Sequence, residues 1–338
     1  AMEHLIVYSE SMTRSLIKSI PDGKYSFSDV LDDDGFDSKS IPIKATITIS
    51  GDQAIVDFTG SAPQQRGGVN SVKAITLSAV SYVFRSLLEM DIPNNAGCMA
   101  PIQVILPEES VVNARSPAAV AGGNVETSQR IVDVLLGALS HACPEKIPAA
   151  SQGTMNNITI GGNFSTDSPL KDLPKIKPFV YYETIGGGTG ASSNANGLSA
   201  IHSHMTNTLN TPIEALEFAY PIEIQCYSVR SGSGGLGKFQ GGDGINREMK
   251  LLTDCQVTLI TERRKNPPYG LNGGAPGRCG ENSFIRDGLE HTLPSKGTFS
   301  LKAGDILRIR TPGGGGFGPA PKYIDDNNPR SNQDFKET

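Results

Sequence analysis

Apolar positions open the chain with a period near 3.6: Leu5, Tyr8, Met12, Leu16 and Ile20 predict a core-facing helix, closed by the turn Pro21-Asp22-Gly23. The period then falls to two. Tyr25, Phe27 and Val30 lead toward Asp32-Asp33-Asp34-Gly35. Ile43, Ala45, Ile47 and Ile49 alternate with Lys44, Thr46 and Thr48, and Gly51-Asp52 turns the chain into Ile55-Val56-Asp57-Phe58, a hairpin. Residues 72–90 are apolar around most of a helical circumference, so a deeply buried helix is expected there, ended by Pro93 and followed by a short buried strand at 102–106. A second helix is expected from Gly122-Gly123-Asn124 to about Ala142, with Asn124 as N-cap and Glu126 in the first turn. Its apolar face is Ile131, Val134, Leu135, Ala138 and Leu139. Glu126, Arg130 and Asp133 share a polar stripe, and Glu126 and Arg130 are spaced for an i,i+4 ion pair.

Beyond about Ser151 the pattern is β and glycine-rich, with strands expected at 156–160, 179–184, 222–229, 248–252, 257–261, 283–286 and 306–310. Helices in the first half and strands in the second read as α+β. The division expected is an α+β part over 1–220, a β-rich part over 221–318, and a polar, proline-containing tail over 319–338.

Composition changes this picture in a few places. The 338 residues include 38 glycines and 22 prolines, so loops and turns carry much of the fold. Thirty basic against 35 acidic residues give a net charge of −5 with no Lys/Arg run, which argues against nucleic acid or anionic lipid as partner. No apolar stretch reaches the roughly 18 residues of a membrane span, and no secretory leader precedes the first helix. Five scattered cysteines read as reduced thiols of a cytoplasmic protein. Ala1 before Met2 has the look of a cloning scar, and the abrupt start on a core helix hints at a segment upstream.

Several motifs offer chemistry. Gly232-Ser233-Gly234-Gly235-Leu236-Gly237-Lys238 fits two phosphate-loop templates, but Phe239 stands where magnesium needs Ser or Thr, and Gly241-Gly242 follows where a helix is required. It is read as a glycine-rich connection, not an ATP site. The three aspartates at 32–34 lack the spacing of a calcium loop and are read as solvated. His202 and His204, taken as i and i+2 on a strand, would face one metal ion together, or form a structural pair. Glu183 ends a strand before a flexible glycine loop, a place suited to a general base or to a plain edge position. Gln152 and Asn156 would orient a polar substrate or satisfy core hydrogen bonds. Glu262-Arg263-Arg264 and the tetraglycine 313–316 end strands and by themselves name no chemistry.

Taken together, the segments IPDGKYSFSD (20–29), VDFTG (56–60), GGNVETSQRIVD (122–133), AASQGTMNN (149–157), YYETIGGGTGA (181–191), HSHMTNTLNTPIE (202–214), ERRKNPPYGLNGG (262–274) and TPGGGGFG (311–318) resemble the hydantoinase B/5-oxoprolinase family, in family order, from Met2 to Gly318. The resemblance implies a division of labour. An A-type ATPase partner uses ATP-Mg to phosphorylate a cyclic amide, and the B-type part receives the activated species in a hetero-oligomer. That part hydrolyses a hydantoin, 5-oxoproline or related lactam; in acetone and acetophenone carboxylase relatives it carboxylates an enol phosphate. A third reading is a non-catalytic assembly portion of such a complex. Family B subunits begin further upstream, where their divalent-metal ligands (Zn, Mn or Mg) lie, so this chain is expected to be a C-terminal portion or a split form, inactive without its partner and upstream segment. On this reading Glu183, Arg130 and His204 are the catalytic candidates. Asn124, Glu126, Gln152 and Asn156 are the substrate-binding candidates, His202 and His204 are weak metal candidates, and all are expected to converge on one site.

Overall fold

The computed structural model describes residues 2–165 and 176–321. The expected tail therefore lies, from residue 322, outside the described residues. The helices are α1 (Met2–Ser19), α2 (Lys73–Ser86), α3 (Ser128–Leu139) and α4 (Ile213–Ala219). The first four strands are β1 (Gly23–Leu31), β2 (Ile41–Ser50), β3 (Gln53–Asp57) and β4 (Ile102–Ile105). Then come β5 (Asn157–Ser165), β6 (Ile176–Glu183), β7 (Ile222–Arg230), β8 (Gly244–Leu251), β9 (Cys255–Ile260), β10 (Glu281–Arg286), β11 (Leu289–Leu293), β12 (Lys296–Leu301) and β13 (Ile306–Arg310). They form three sheets, ordered β1-β2-β3-β4, β12-β9-β5-β6 and β11-β10-β13-β8-β7, antiparallel except for the parallel β3–β4 pair. The chain is α+β, as its patterning indicates.

Two apolar cores follow from these layers. In the first, the period-two face of β2 (Ile41, Ile43, Ala45, Ile47, Ile49) is buried beneath α3, which also packs on β1 and α2. All twelve residues of α3 are buried. A Cβ on Gly137 would come within 2.5 Å of the Phe27 ring, so only glycine lets the helix ride this close to β1. The second core lies between the two C-terminal sheets and is built from Ile158, Ile160, Met249, Val257, Leu259, Leu307 and Ile309, among others.

Four local expectations change. In α1, Leu5 and Tyr8 are exposed and Ser9, Thr13, Leu16 and Ile17 are buried, because Ser9 Oγ donates to the Pro93 carbonyl and turns the helix face. The α2 helix stops at Ser86 and buries one side only, with Met90 exposed beyond its end. The glycine-led start of α3 is a π-helical turn over Gly123–Thr127 with Gly122 at its N-cap, so Asn124 is exposed inside the turn instead of capping it. Two strands (β11, β12) and α4 were hidden in short mixed segments whose apolar positions show no period.

The glycine-rich stretches thread through one another. Tetraglycine 313–316 exchanges backbone hydrogen bonds with Ala150, Ala191, Gly235, Gly242, Leu271, Ala275 and Arg278. A Cβ on Gly314 would sit 1.9 Å from the Thr189 carbonyl oxygen. No helix follows Lys238; the chain runs through an isolated bridge into β8.

Candidate functional site

Where the two halves of the chain meet, charge is buried in quantity. The carboxylate of Asp29, near the end of β1, accepts from Arg130 Nη1 at 3.0 Å and from Arg263 Nη2 at 2.7 Å. Asp133, one turn along α3, accepts from the same two arginines at 3.2 and 2.6 Å. Arg130, Arg263 and Asp133 are essentially inaccessible to water. Burial on its own would lower the Arg130 pKa, but the surrounding carboxylates raise it, so its charge is fixed. Glu262 continues the network: its Oε2 takes the Asp32 backbone N–H at 2.8 Å and lies 3.6 Å from Arg130 Nη2, while its Oε1 binds the Lys296 ammonium.

The aspartates at 32–34 are buried, not solvated as expected. Asp32 accepts the Arg264 N–H at 2.6 Å and Asn266 Nδ2 at 2.9 Å; Asp33 pairs with Lys265 at 2.8 Å; Asp34 takes the Gly67 N–H at 2.9 Å. Each carboxylate has a fixed donor from a distant segment, which is why three adjacent acids tolerate burial. The loop is a clasp between the halves, and Glu262-Arg263-Arg264 is its counterpart. Sequence reading gave both segments no role. The available signal was complementary charge, the acidic run Asp32-Asp33-Asp34 and the basic run Arg263-Arg264-Lys265, each placed next to an apolar strand.

The remaining expected residues divide. Glu126 Oε1 accepts from the Met155 N–H at 3.2 Å and Asn157 Nδ2 at 2.7 Å; the expected i,i+4 pair with Arg130 does not form, because Arg130 turns to Asp29, Asp133 and Glu262. Burial, joined by the charge of Glu262, pushes Glu126 up to about 7. Burial also raises Glu262, with Lys296 opposing it. Asn156 Nδ2 donates to Gln152 Oε1 at 2.9 Å, and its Oδ1 accepts from Arg264 Nη1 at 2.7 Å, so this amide pair joins the same network. His204 stands beside Asp133, with Nε2 4.0 Å from Oδ1. Asn124 is exposed and touches none of these. Glu183 lies in the second core, paired with buried Arg247 at 3.1 Å.

His202 and His204 are not on a strand, which corrects the shared-face expectation. His204 sits in a turn with φ +55°, its Nδ1 3.2 Å from the Tyr82 hydroxyl, whereas His202 Nε2 meets Thr208 Oγ1 at 3.3 Å. Among the described residues no group of three or more His, Cys, Asp or Glu is placed to hold a metal ion, so these side chains do not fit a resident divalent ion. The five cysteines are unpaired, and among the described residues no helix is long and apolar enough to cross a membrane.

The network reaches solvent at a cleft of about 620 Å³, lined by Asp33, Asp37, Arg264, Lys265, Glu290 and Lys296 among others. Both signs of charge face it, a lining suited to a small polar molecule that presents an anion and an N–H together.

Comparison with known proteins places these residues in context. The family described as Hydantoinase B/oxoprolinase matches residues 1–320. An uncharacterised protein of Methanocaldococcus jannaschii is 43% identical over 311 residues, 92% of this chain and 52% of its own length. The 5-oxoprolinase of Dictyostelium discoideum is 42% identical over 292 residues, 86% of this chain and 22% of its own. The chain thus spans about half, or less, of these relatives. The crystal structure of the ATP-dependent caprolactamase from Pseudomonas jessenii superposes with a TM-score of 0.82 at 25% identity, covering 95% of this chain and 56% of that one.

Proposed function

The chain belongs to the hydantoinase B/oxoprolinase family, and from that premise we propose that it is part of the B-type component of an ATP-dependent cyclic amidohydrolase. It receives a lactam whose oxygen an A-type ATPase partner has phosphorylated, and it opens the ring. The observation that carries this reading is the cleft lined by Lys296, whose ammonium binds the buried Glu262, so that a water-excluded network of fixed charge meets a cavity sized for a small ring. The 5-oxoprolinase and caprolactamase likenesses support a cyclic amide as substrate class.

A stable lactam resists water at neutral pH, and phosphorylation of its oxygen makes the ring carbon a better electrophile. Water adds at that carbon and gives up a proton, and the ring C–N bond breaks and the freed nitrogen takes a proton. The acyl phosphate that remains is hydrolysed by a second water to the carboxylate and inorganic phosphate. In this chain Lys296, Lys265 and Arg264 face the anionic oxygens. Lys296, an ammonium on the cleft wall, is the proposed proton source for the nitrogen, and Glu126, which burial raises to about 7, is among the groups that act on it. Asp29, Asp133, Arg130 and Arg263 hold the scaffold so that none of these groups must reorganise during the step. The divalent ion belongs, on this reading, outside the described residues, and the free thiols accord with a cytoplasmic hetero-oligomer. The test is to combine the protein with its ATPase partner and follow ATP consumption and ring opening across a lactam panel. Ring opening without bicarbonate supports the proposal; incorporation of labelled bicarbonate into a ketone would replace it with a carboxylase.

A further inference from the structure

We propose that Phe36 sets which rings the cleft accepts: its exposed ring takes the methylene edge of a saturated lactam, while the charged wall takes the amide. This role rests on the functional reading above, which places the substrate in the cleft, and it names the side chain that discriminates among cyclic amides.

The lining is divided in character. Asp33, Asp37, Arg264, Lys265, Glu290 and Lys296 bring charge to it, and its apolar side chains are Phe36, Leu293 and Pro294. Leu293 is buried in the second core. Among the described residues, Phe36, 63% exposed, is therefore the one large apolar side chain of the lining left open to solvent. A lactam is divided in the same way, with the amide at one edge of the ring and methylenes at the other.

An exposed aromatic is ordinary on a protein surface, but this one is pinned. Asp34 Oδ1 accepts the Phe36 N–H at 2.9 Å and the Asp37 N–H at 2.8 Å, and its Oδ2 accepts the Gly67 N–H at 2.9 Å. A Cβ on Gly67 would lie 1.8 Å from the Asp34 carbonyl oxygen, so only glycine lets the two segments meet. That contact brings the neighbouring Arg66 over Phe36, its guanidinium carbon 4.5 Å from the ring centroid. Arg66 lies outside the lining and covers the ring from there. On the other flank, Gly35 rests on Lys296: a Cβ on Gly35 would lie 3.3 Å from the Lys296 Cβ. The loop that carries Phe36 thus leans on the stem of the lysine that supplies the proton on the functional reading. The acidic clasp joins the halves of the chain and also sets an aromatic wall on the cleft.

A ring held by a cation loses little freedom when a ligand covers it, and it offers contact area without asking for a hydrogen bond. Each methylene laid against it leaves water, which strengthens binding by up to about fourfold. Binding should therefore rise with ring size. Hydantoin, which replaces ring methylenes with polar groups, should lose that gain.

The experiment compares saturated five-, six- and seven-membered lactams with hydantoin. Ligand-observed NMR titration of the whole chain alone reads binding of the unactivated rings. Kinetics of the complex with the ATPase partner and ATP read KM and kcat. In wild type, the dissociation constant and KM should each fall about two- to fourfold per added ring methylene. Phe36→Ala should flatten that gradient to less than about 1.5-fold. It should raise KM for the seven-membered ring about tenfold, with kcat changed less than about threefold. Phe36→Leu keeps an apolar side chain and should restore most of the gradient. Arg66→Met should weaken the gradient, whereas Arg66→Lys keeps the cation and should preserve it. A gradient of wild-type steepness in Phe36→Ala, or no gradient in wild type, overturns the proposal. Rings that bind with the expected gradient but are not opened by the wild-type complex overturn the functional reading and leave the subsite standing. Ring opening whose KM ignores Phe36 overturns the subsite and leaves that reading standing.

Discussion

Arg263 Nη2 donates to Asp29 Oδ2 at 2.7 Å across 234 residues of sequence, and the same nitrogen holds Asp133 at 2.6 Å. One guanidinium thus ties β1, α3 and the loop after β9 together. Removing it leaves two carboxylates, one of them wholly buried, to share Arg130. Arg263→Met is expected to destabilise the protein by on the order of 3–5 kcal/mol, read from the midpoint of denaturant unfolding. A midpoint unchanged from wild type would mean that the network is not what joins the halves.

Glu126 gives a pH dependence with a definite sign. Its ordinary value of 4.5 rises to about 7 in the folded chain. A raised folded value means that its contribution is full below the unfolded pKa and is lost as pH climbs through the folded one. Stability should therefore decline between about pH 4.5 and about 7. Glu126→Gln keeps the acceptor for Met155 and Asn157 and should flatten that decline; parallel curves for the two proteins would contradict the assignment.

Gly314→Ala places a methyl group 1.9 Å from the Thr189 carbonyl oxygen, against backbone that cannot rotate away. The cost should reach about 3 kcal/mol or more, seen as loss of soluble protein or a lowered Tm. Gly51→Ala is the control for added bulk, since nothing lies within 4 Å of that position and only its φ of +60° is strained.

How far the sequence foretold this molecule depends on the kind of signal. The alternation of Ile43, Ala45, Ile47 and Ile49 is local, and β2 follows it. The apolar positions of α3 are likewise local, but its polar stripe is not. Arg130 and Asp133 read as part of a polar stripe in which Arg130 would pair with Glu126, and they are paired otherwise because their partners, Asp29 and Arg263, arrive from elsewhere in the chain. Asp32-Asp33-Asp34 misled for the same reason. A carboxylate run reads as solvent-seeking until its donors, here Arg264, Lys265 and Gly67, are brought to it. Gln152 and Asn156 were legible as a polar pair near a core, and they do bond each other. Phe36 gave no signal at all, being one aromatic beside an acidic run.

The most direct measurement separates activation from ring opening in a single reaction. With the ATPase partner, ATP and a lactam present and bicarbonate withheld, ADP formation and ring-opened product are followed together for wild type and for Lys296→Met. The account predicts coupled formation of both in wild type. In the variant, ring opening should fall about 100-fold or more while ADP formation continues. Undiminished ring opening in Lys296→Met, or product only when labelled bicarbonate is added and incorporated, would contradict it.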